Sequence, residues 1–275
     1  MTMVTTQIAT ERITVDGLSI RYADSRTPGP DVLLLNPWPE SLYAFEPIWA
    51  HLAREDHLVA VDLPGFGQSD SRADLMSPQA MAEFVVQLLD ALQLDQVHLV
   101  APDIGTSAAL FAASAHPDRF HTVVVGSGAA SIPFELGEPL ASWVTAPNVD
   151  EYEHTDGRRI VAGTVERLTP AYPVPGPIRA DYLESYSGRR FADSMRYVRA
   201  YPADLPVLRD LLPTIQTPVR IISGSRDTAV PSTNGHFLDD RLPSSTHDVV
   251  DSGHFVWEEA SAIYSSLLTD WWRRH

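Results

Sequence analysis

The sequence contains no cysteine and no lysine. Without thiols there are no disulfides, no thiolate nucleophile and no cysteine-ligated metal. Without lysine there is no Schiff-base chemistry, no lysine-anchored pyridoxal phosphate and no phosphate-binding Walker loop. Positive charge is scarce as well: 20 basic residues, all arginine, stand against 36 acidic ones, a net of −16 over 275 residues. Such a surface repels phosphate backbones and anionic lipid, so neither nucleic acid nor a membrane is an expected partner, whereas neutral or hydrophobic small molecules are. No stretch approaches the roughly 18 apolar residues of a membrane span. Met1 to Arg12 is polar and lacks the apolar run of a secretory leader, so a cytoplasmic protein is expected. The oligomeric state is left open, a homodimer included.

What is present reads as an α/β protein. Glu11 to Val15 and Leu18 to Tyr22 alternate apolar and polar residues around Asp16-Gly17, a hairpin signal because Asp and Gly tolerate positive φ. Apolar runs bounded by turn residues follow at Asp31 to Asn36, His57 to Asp62, Val97 to Ala101, Thr122 to Val125, Val219 to Ser223 and Asp248 to Asp251. Runs of this kind, separated by helical stretches, predict a mostly parallel central sheet with helices on both faces. Ser77 to Leu92 is the clearest helix. Ser77 suits the N-cap, Pro78 the first position, and Met81, Phe84, Val85, Leu88, Leu89 and Leu92 form one stripe. Ala260 to Trp272 is a second amphipathic candidate. Between Ser131 and Leu212 the alternation stops and proline, aromatic residues and paired arginines become frequent. The expected organisation is therefore a core domain of residues 1–130 and 213–275, with residues 131–212 inserted as a helical cap over the strand ends, where ligands of α/β sheets bind.

The chemistry concentrates where predicted strands end. Val97 to Ala101 runs through Pro102 and Asp103 into a helix of small residues. A nucleophile held on such a sharp turn needs small neighbours two before and two after, which Ala101 and Gly105 supply around Asp103. A rival register, Gly105-Thr106-Ser107-Ala108-Ala109, places Ser107 at the centre, one turn into the helix. Asp103 as a plain helix N-cap is the third reading. An acid, Asp227, follows the strand at Val219, and His254 follows the last strand; nucleophile, acid, histidine is the chain order of this architecture. The other histidines, His51, His57, His98, His116, His121, His154, His236, His247 and His275, read as structural or solvent-facing. They show no ligand-pair spacing on a predicted helix, so no metal is implied. No glycine-rich dinucleotide fingerprint follows the first parallel strand, so no cofactor is implied.

The chain resembles the α/β-hydrolase fold in its aspartate-nucleophile branch, the epoxide hydrolases and the haloalkane and haloacetate dehalogenases. Asp62-Leu-Pro-Gly-Phe-Gly-Gln-Ser69 is similar to the family's D-x-x-G-x-G-x-S loop and Ala101-Pro-Asp-Ile-Gly105 to its G-H-D-x-G turn. His116-Pro-Asp-Arg-Phe120 and Gly253-His-Phe255 also resemble family segments. There are three departures. The family's H-G-x-P turn appears as Asn36-Pro37-Trp38-Pro39. The Trp or Arg that usually follows the nucleophile is Ile104. No acid stands near Ser127-Gly128, where some dehalogenases carry theirs, which favours Asp227.

The resemblance implies hydrolysis through an Asp103 ester. His254, oriented by Asp227, activates water, and the backbone N–H groups of Trp38 and Ile104 form the oxyanion hole. It also implies that insertion tyrosines protonate an epoxide oxygen, with Tyr201 and then Tyr186 as candidates. N–H groups of Asn36, Trp38 and Trp143 would hold a halide. An epoxide hydrolase is the leading expectation and a dehalogenase the second. A Ser107-type ester or carbon–carbon hydrolase, and a non-hydrolytic biosynthetic or ligand-binding member of the fold, remain open.

Overall fold

The computed structural model describes residues 7–275; the first residues of the segment inspected for a leader lie outside it. Eight strands form one sheet: β1 (Thr10–Val15), β2 (Leu18–Asp24), β3 (Asp31–Leu35), β4 (His57–Val61), β5 (Val97–Pro102), β6 (Phe120–Gly126), β7 (Val219–Gly224) and β8 (Ser245–Val250). Their order is β1-β2-β4-β3-β5-β6-β7-β8. The first two pairings along this order, β1 on β2 and β2 on β4, are antiparallel and the rest are parallel. The β1–β2 hairpin turns at Asp16 and Gly17, both at positive φ (48° and 79°), as the Asp-Gly pair anticipates. The last strand begins at Ser245, earlier than its apolar run suggests, because its first residues are only half-buried at the sheet edge.

Among the described residues twelve α-helices accompany the sheet: α1 (Glu46–Leu52), α2 (Pro78–Ala91), α3 (Gly105–Ala115), α4 (Leu140–Thr145), α5 (Asp150–Glu153), α6 (Gly157–Leu168), α7 (Gly176–Ser185), α8 (Arg190–Val198), α9 (Tyr201–Leu211), α10 (Thr233–Asp239), α11 (Val256–Glu259) and α12 (Ser261–Trp272). The Ser77 hydroxyl caps α2 by accepting from the Ala80 N–H (3.2 Å), and the predicted stripe is buried. Successive strand residues feed opposite faces. Leu33, Leu35, Leu99 and Val123 join the core under α2, α3 and α9, and Val32, Leu34, Val100 and Val124 join the core under α1, α11 and α12. Both faces being covered explains why the strands are apolar throughout instead of alternating.

Six helices, α4 to α9, lie between β6 and β7, with no strand among them. They join the rest through a buried polar knot. Arg21 on β2 donates from Nε to Asp62 (2.5 Å) and from both terminal nitrogens to Asp181 on α7 (2.6 and 2.9 Å). Asp62 also accepts the N–H groups of Leu42 (2.7 Å) and Gln68 (2.8 Å). Gly67 must be glycine here: its φ is +50° and a Cβ would fall 2.0 Å from the Asp62 carboxyl carbon. The D-x-x-G-x-G-x-S stretch therefore serves architecture, and Asp62 is not a reacting group. Arg21 is 4% exposed. Its replacement by Met leaves two carboxylates without a cation and should cost about 3–5 kcal/mol of stability in urea unfolding. A loss below about 1 kcal/mol would show that the knot behaves like a surface pair.

Candidate active site

β3 and β5 are neighbours, yet the chain leaves β3 for β4 on one side before returning to β5 on the other. The crevice at such a reversal is where α/β sheets bind ligands. Two segments end there, Asn36 to Trp38 after β3 and Asp103 after β5.

Asp103 occupies a sharp left-handed turn with φ of +53°. Such a conformation costs a non-glycine residue on the order of 1–3 kcal/mol, and Asp is among the residue types that tolerate it best. The turn is pinned by the Asp103 N–H donating to Gly126 O (2.9 Å) and by the Thr106 N–H donating to Asp103 O (3.0 Å). Gly105 allows it to close, since a Cβ there would lie 3.1 Å from that of Ala101. The carboxylate is 6% exposed. Its Oδ2 accepts the main-chain N–H of Trp38 (2.6 Å) and its Oδ1 lies 3.5 Å from His254 Nε2. The His254 Nδ1 faces Asp227 Oδ2 at 2.7 Å, and Asp227 Oδ1 accepts the N–H groups of Ala229 and Val230 (2.8 Å each). The structure thus brings Asp103, His254, Asp227 and the Trp38 N–H into one buried chain. Ile104 follows Asp103 at the start of α3 and is buried.

The other sequence candidates divide. Ser107 lies inside α3, fully buried and one turn past the apex. Tyr186 is not available as a proton donor: its hydroxyl donates to Glu40 O (2.9 Å) and accepts from the Gly67 N–H (3.4 Å). Of the expected halide donors, the Trp38 indole N–H is committed elsewhere and Asn36 has one of its two amide N–H groups committed. Asn36 Nδ2 donates to Pro37 O (2.9 Å) while its Oδ1 accepts the Leu63 N–H (2.8 Å), and the Trp38 indole N–H donates to Ser194 on α8 (2.9 Å). Trp143 packs edge-on against Trp38 and Phe191 at 5.4 Å. The Tyr197 hydroxyl donates to Ile104 O (2.9 Å). Tyr201, at the start of α9, is buried edge-on against Tyr197 (6.0 Å), close enough to feel the Asp103 charge, and its hydroxyl has no hydrogen bond among the described residues.

Sequence reasoning passed over two acids. Glu40 and Glu258 are buried at 0% and 2% exposure, and both are pushed above the usual carboxylate range, first by burial. Their signal was slight: Glu40 stands two residues past Trp38, and Glu258, four past His254, follows an apolar run but is itself followed by Glu259. Beside His254 a cavity of about 340 Å³ opens between Leu168, Pro170 and Ala171 on one side and Arg226, Thr228 and Gly253 on the other. Among the described residues no group of three or more His, Asp or Glu is placed to hold a metal ion, and no helix is long and apolar enough to cross a membrane.

Residues 30–151 match the family model described as alpha/beta hydrolase fold. The chain is 28% identical over 270 residues to an uncharacterized hydrolase, YugF, of Bacillus subtilis (strain 168), covering 94% of this chain and 96% of that one. The structure of Cfl2 wild-type from Burkholderia cenocepacia superposes with a TM-score of 0.83 at 22% identity, covering 95% of each chain. That of epoxide hydrolase VrEH1 from Vigna radiata does so with a TM-score of 0.77 at 19% identity, covering 98% and 99%. Other matches carry the names of an enol-lactonase, a haloalkane dehalogenase and an esterase. The chain has the α/β-hydrolase fold. The proteins it is similar to are named as hydrolases that act on several kinds of leaving group.

Burial works against a charged His254 ring, but Asp227 and Asp103 outweigh it and raise its pKa from 6.5 to about 10. The stabilisation from this pairing is complete below pH 6.5 and is lost as pH climbs through about 10. Proton NMR of the ring should show titration near 10 in the intact protein and a downward shift in Asp227→Asn. A ring titrating near 6.5 in both would contradict this electrostatic arrangement.

Proposed function

We propose that the protein opens epoxides on small neutral or hydrophobic substrates through a covalent ester of Asp103, with residues 131–212 acting as the cap. The observation that carries this reading is the Asp103 carboxylate itself, one oxygen on the Trp38 N–H and the other facing His254. A carboxylate displaces at saturated carbon without prior deprotonation, which a hydroxyl nucleophile cannot do.

In the first step Asp103 Oδ1 attacks an epoxide carbon, the carbon–oxygen bond breaks, and the released oxygen takes the proton of Tyr201. Burial, Tyr197 and Asp103 all hold the Tyr201 hydroxyl well above its ordinary pKa of 10, so its proton is in place at neutral pH. Ester formation removes the Asp103 charge. The imidazolium then loses one of the two carboxylates that retain its proton and returns to the neutral form, its proton replacing that of Tyr201 through solvent. Neutral His254 next takes a proton from water, and that oxygen attacks the Asp103 carboxyl carbon. The oxyanion rests on the N–H groups of Trp38 and Ile104, each such donor contributing roughly 3–4 kcal/mol in comparable sites. Collapse releases the diol and frees Asp103. The cavity beside His254 is lined by the histidine and not by Asp103, which suits delivery of water to the second step.

A single turnover with excess enzyme in heavy-oxygen water should give diol with unlabelled oxygen, label entering Asp103 instead; label in the first product would rule out the ester. His254→Gln should slow ester hydrolysis by about 10²–10⁴-fold and leave an adduct visible by mass spectrometry. Asp103→Ala should form none and Ser107→Ala should stay active; the reverse pattern moves the nucleophile to serine.

Tyr201→Phe should slow ester formation from epoxides by about 100-fold while sparing a substrate whose leaving group needs no proton. Equal losses on both would show that Tyr201 only packs.

A further inference from the structure

Glu40 and Glu258 are fully buried carboxyl groups that the proposed reaction does not use. Each accepts one donor: Glu40 Oε1 from the Trp257 indole (3.5 Å) and Glu258 Oε1 from the Tyr182 hydroxyl (2.9 Å). Each also keeps one oxygen, Oε2, that no donor reaches. The Trp257 indole that reaches Glu40 belongs to the residue directly before Glu258, which brings the two carboxyl groups to neighbouring buried positions with one unmatched oxygen each. Two carboxylates cannot hydrogen-bond unless one carries the proton. The charged and titratable groups facing them supply no cation. Asp103 faces Glu40 from the turn after β5, Glu259 faces Glu258 from α11, and Tyr182 of α7 and Tyr172 of the preceding loop face the pair from the insertion.

The pair also joins three separate parts of the site into one. Glu40 lies two residues past Trp38, and its carbonyl is held by Tyr186. Glu258 lies on the short helix that follows His254, and Tyr182 brings in α7. We propose that Glu40 and Glu258 share a buried proton, and that this acid–carboxylate pair is a positioning device fixing the Trp38 N–H relative to His254. It rests on the Asp103 reading for its catalytic consequence, but not for its existence. While the proton stays, the oxyanion segment, the histidine loop and α7 are tied at one point. Once it leaves, two anions face each other out of water and push the segments apart.

Burial raises both groups, so the folded protein holds a proton that the unfolded chain releases near 4.5. Stability should therefore fall as pH rises from 4.5 through about 8, the value to which Glu258 is raised. The test uses the full chain as wild type, as Glu40→Gln/Glu258→Gln and as Glu40→Leu. Infrared spectra of wild type at neutral pH should show a protonated carboxyl band that the double Gln variant lacks. Unfolding of the double variant should lose the wild-type decline between pH 4.5 and 8. With an epoxide, its turnover should stay within about threefold of wild type and lose the alkaline fall, because paired amides keep the neutral hydrogen bond. Glu40→Leu should lower kcat by about tenfold with KM little changed, the mark of a misplaced oxyanion donor. Absence of the band in wild type, or an unchanged pH slope in the double variant, overturns the shared proton. A Glu40→Leu protein with unaltered kcat overturns the positioning role. If no epoxide is turned over, the infrared and unfolding results still decide the first point.

Discussion

The site depends on one placement: a carboxylate held almost out of water at the apex of a left-handed turn. Removing a charge from water is unfavourable unless its oxygens find donors and its field finds opposite charge. The turn after β5 meets both needs. It aims one Asp103 oxygen at the Trp38 N–H and the other at His254, and it starts α3 immediately behind, with that helix's positive end toward the carboxylate. Each partner comes from a different strand end, which only the reversal between β3 and β5 and the parallel placement of β7 and β8 bring within reach. The strain at Asp103 is tolerable because the Gly126 carbonyl, Ala101 and Gly105 over-determine the turn.

The interior around this carboxylate handles its other acids in two ways. Asp227 and Asp62 have dedicated donors: an imidazole and two amides for the first, the Arg21 guanidinium and two amides for the second. Glu40 and Glu258 have one weaker donor each and no cation. The first kind has its oxygens met by donors, and the second, in the proposed pair, retains a proton. A chain with a net charge of −16 and no lysine has few cations for its interior, and among the described residues the cation paired with Asp103 is the His254 ring. In the proposed reaction that ring is charged while it faces two carboxylates and loses its proton when one is esterified, which couples nucleophile and base electrostatically.

The sheet was legible because its strands are buried on both faces and so are written as unbroken apolar runs between turn residues. The Asp103 turn, Asp227 and His254 were legible because each stands directly after such a run. What the sequence concealed is partnership. Nothing local to Tyr186 says that its hydroxyl reaches the carbonyl of Glu40, 146 residues away, or that the Trp38 indole reaches Ser194. Both side chains look free in the sequence and are committed in the structure. Glu40 and Glu258 are separated by more than 200 residues, and the fold brings Trp257, the neighbour of Glu258, onto Glu40; nothing local to either acid marks the pairing. The short β8 run was underestimated because half-buried edge residues carry a weaker apolar signal.

The insertion's tyrosines sharpen the choice of leaving group. Three of them feel the Asp103 charge: Tyr186, Tyr197 and Tyr201. The first donates to the carbonyl of Glu40 and the second to that of Ile104, one on each of the two segments that present the Trp38 and Ile104 N–H groups. Those two hydroxyls fix the backbone and have no proton left for substrate. Tyr201 alone of the three keeps its hydroxyl unengaged among the described residues. The Trp38 indole N–H is engaged and Ile104 brings an alkyl chain where a halide donor usually stands, whereas Asn36 has only one of its two amide N–H groups committed. In the proposed reaction it is the free Tyr201 hydroxyl that suits an alkoxide as the departing group, because an alkoxide needs a proton transferred and a halide needs only dipoles to solvate it.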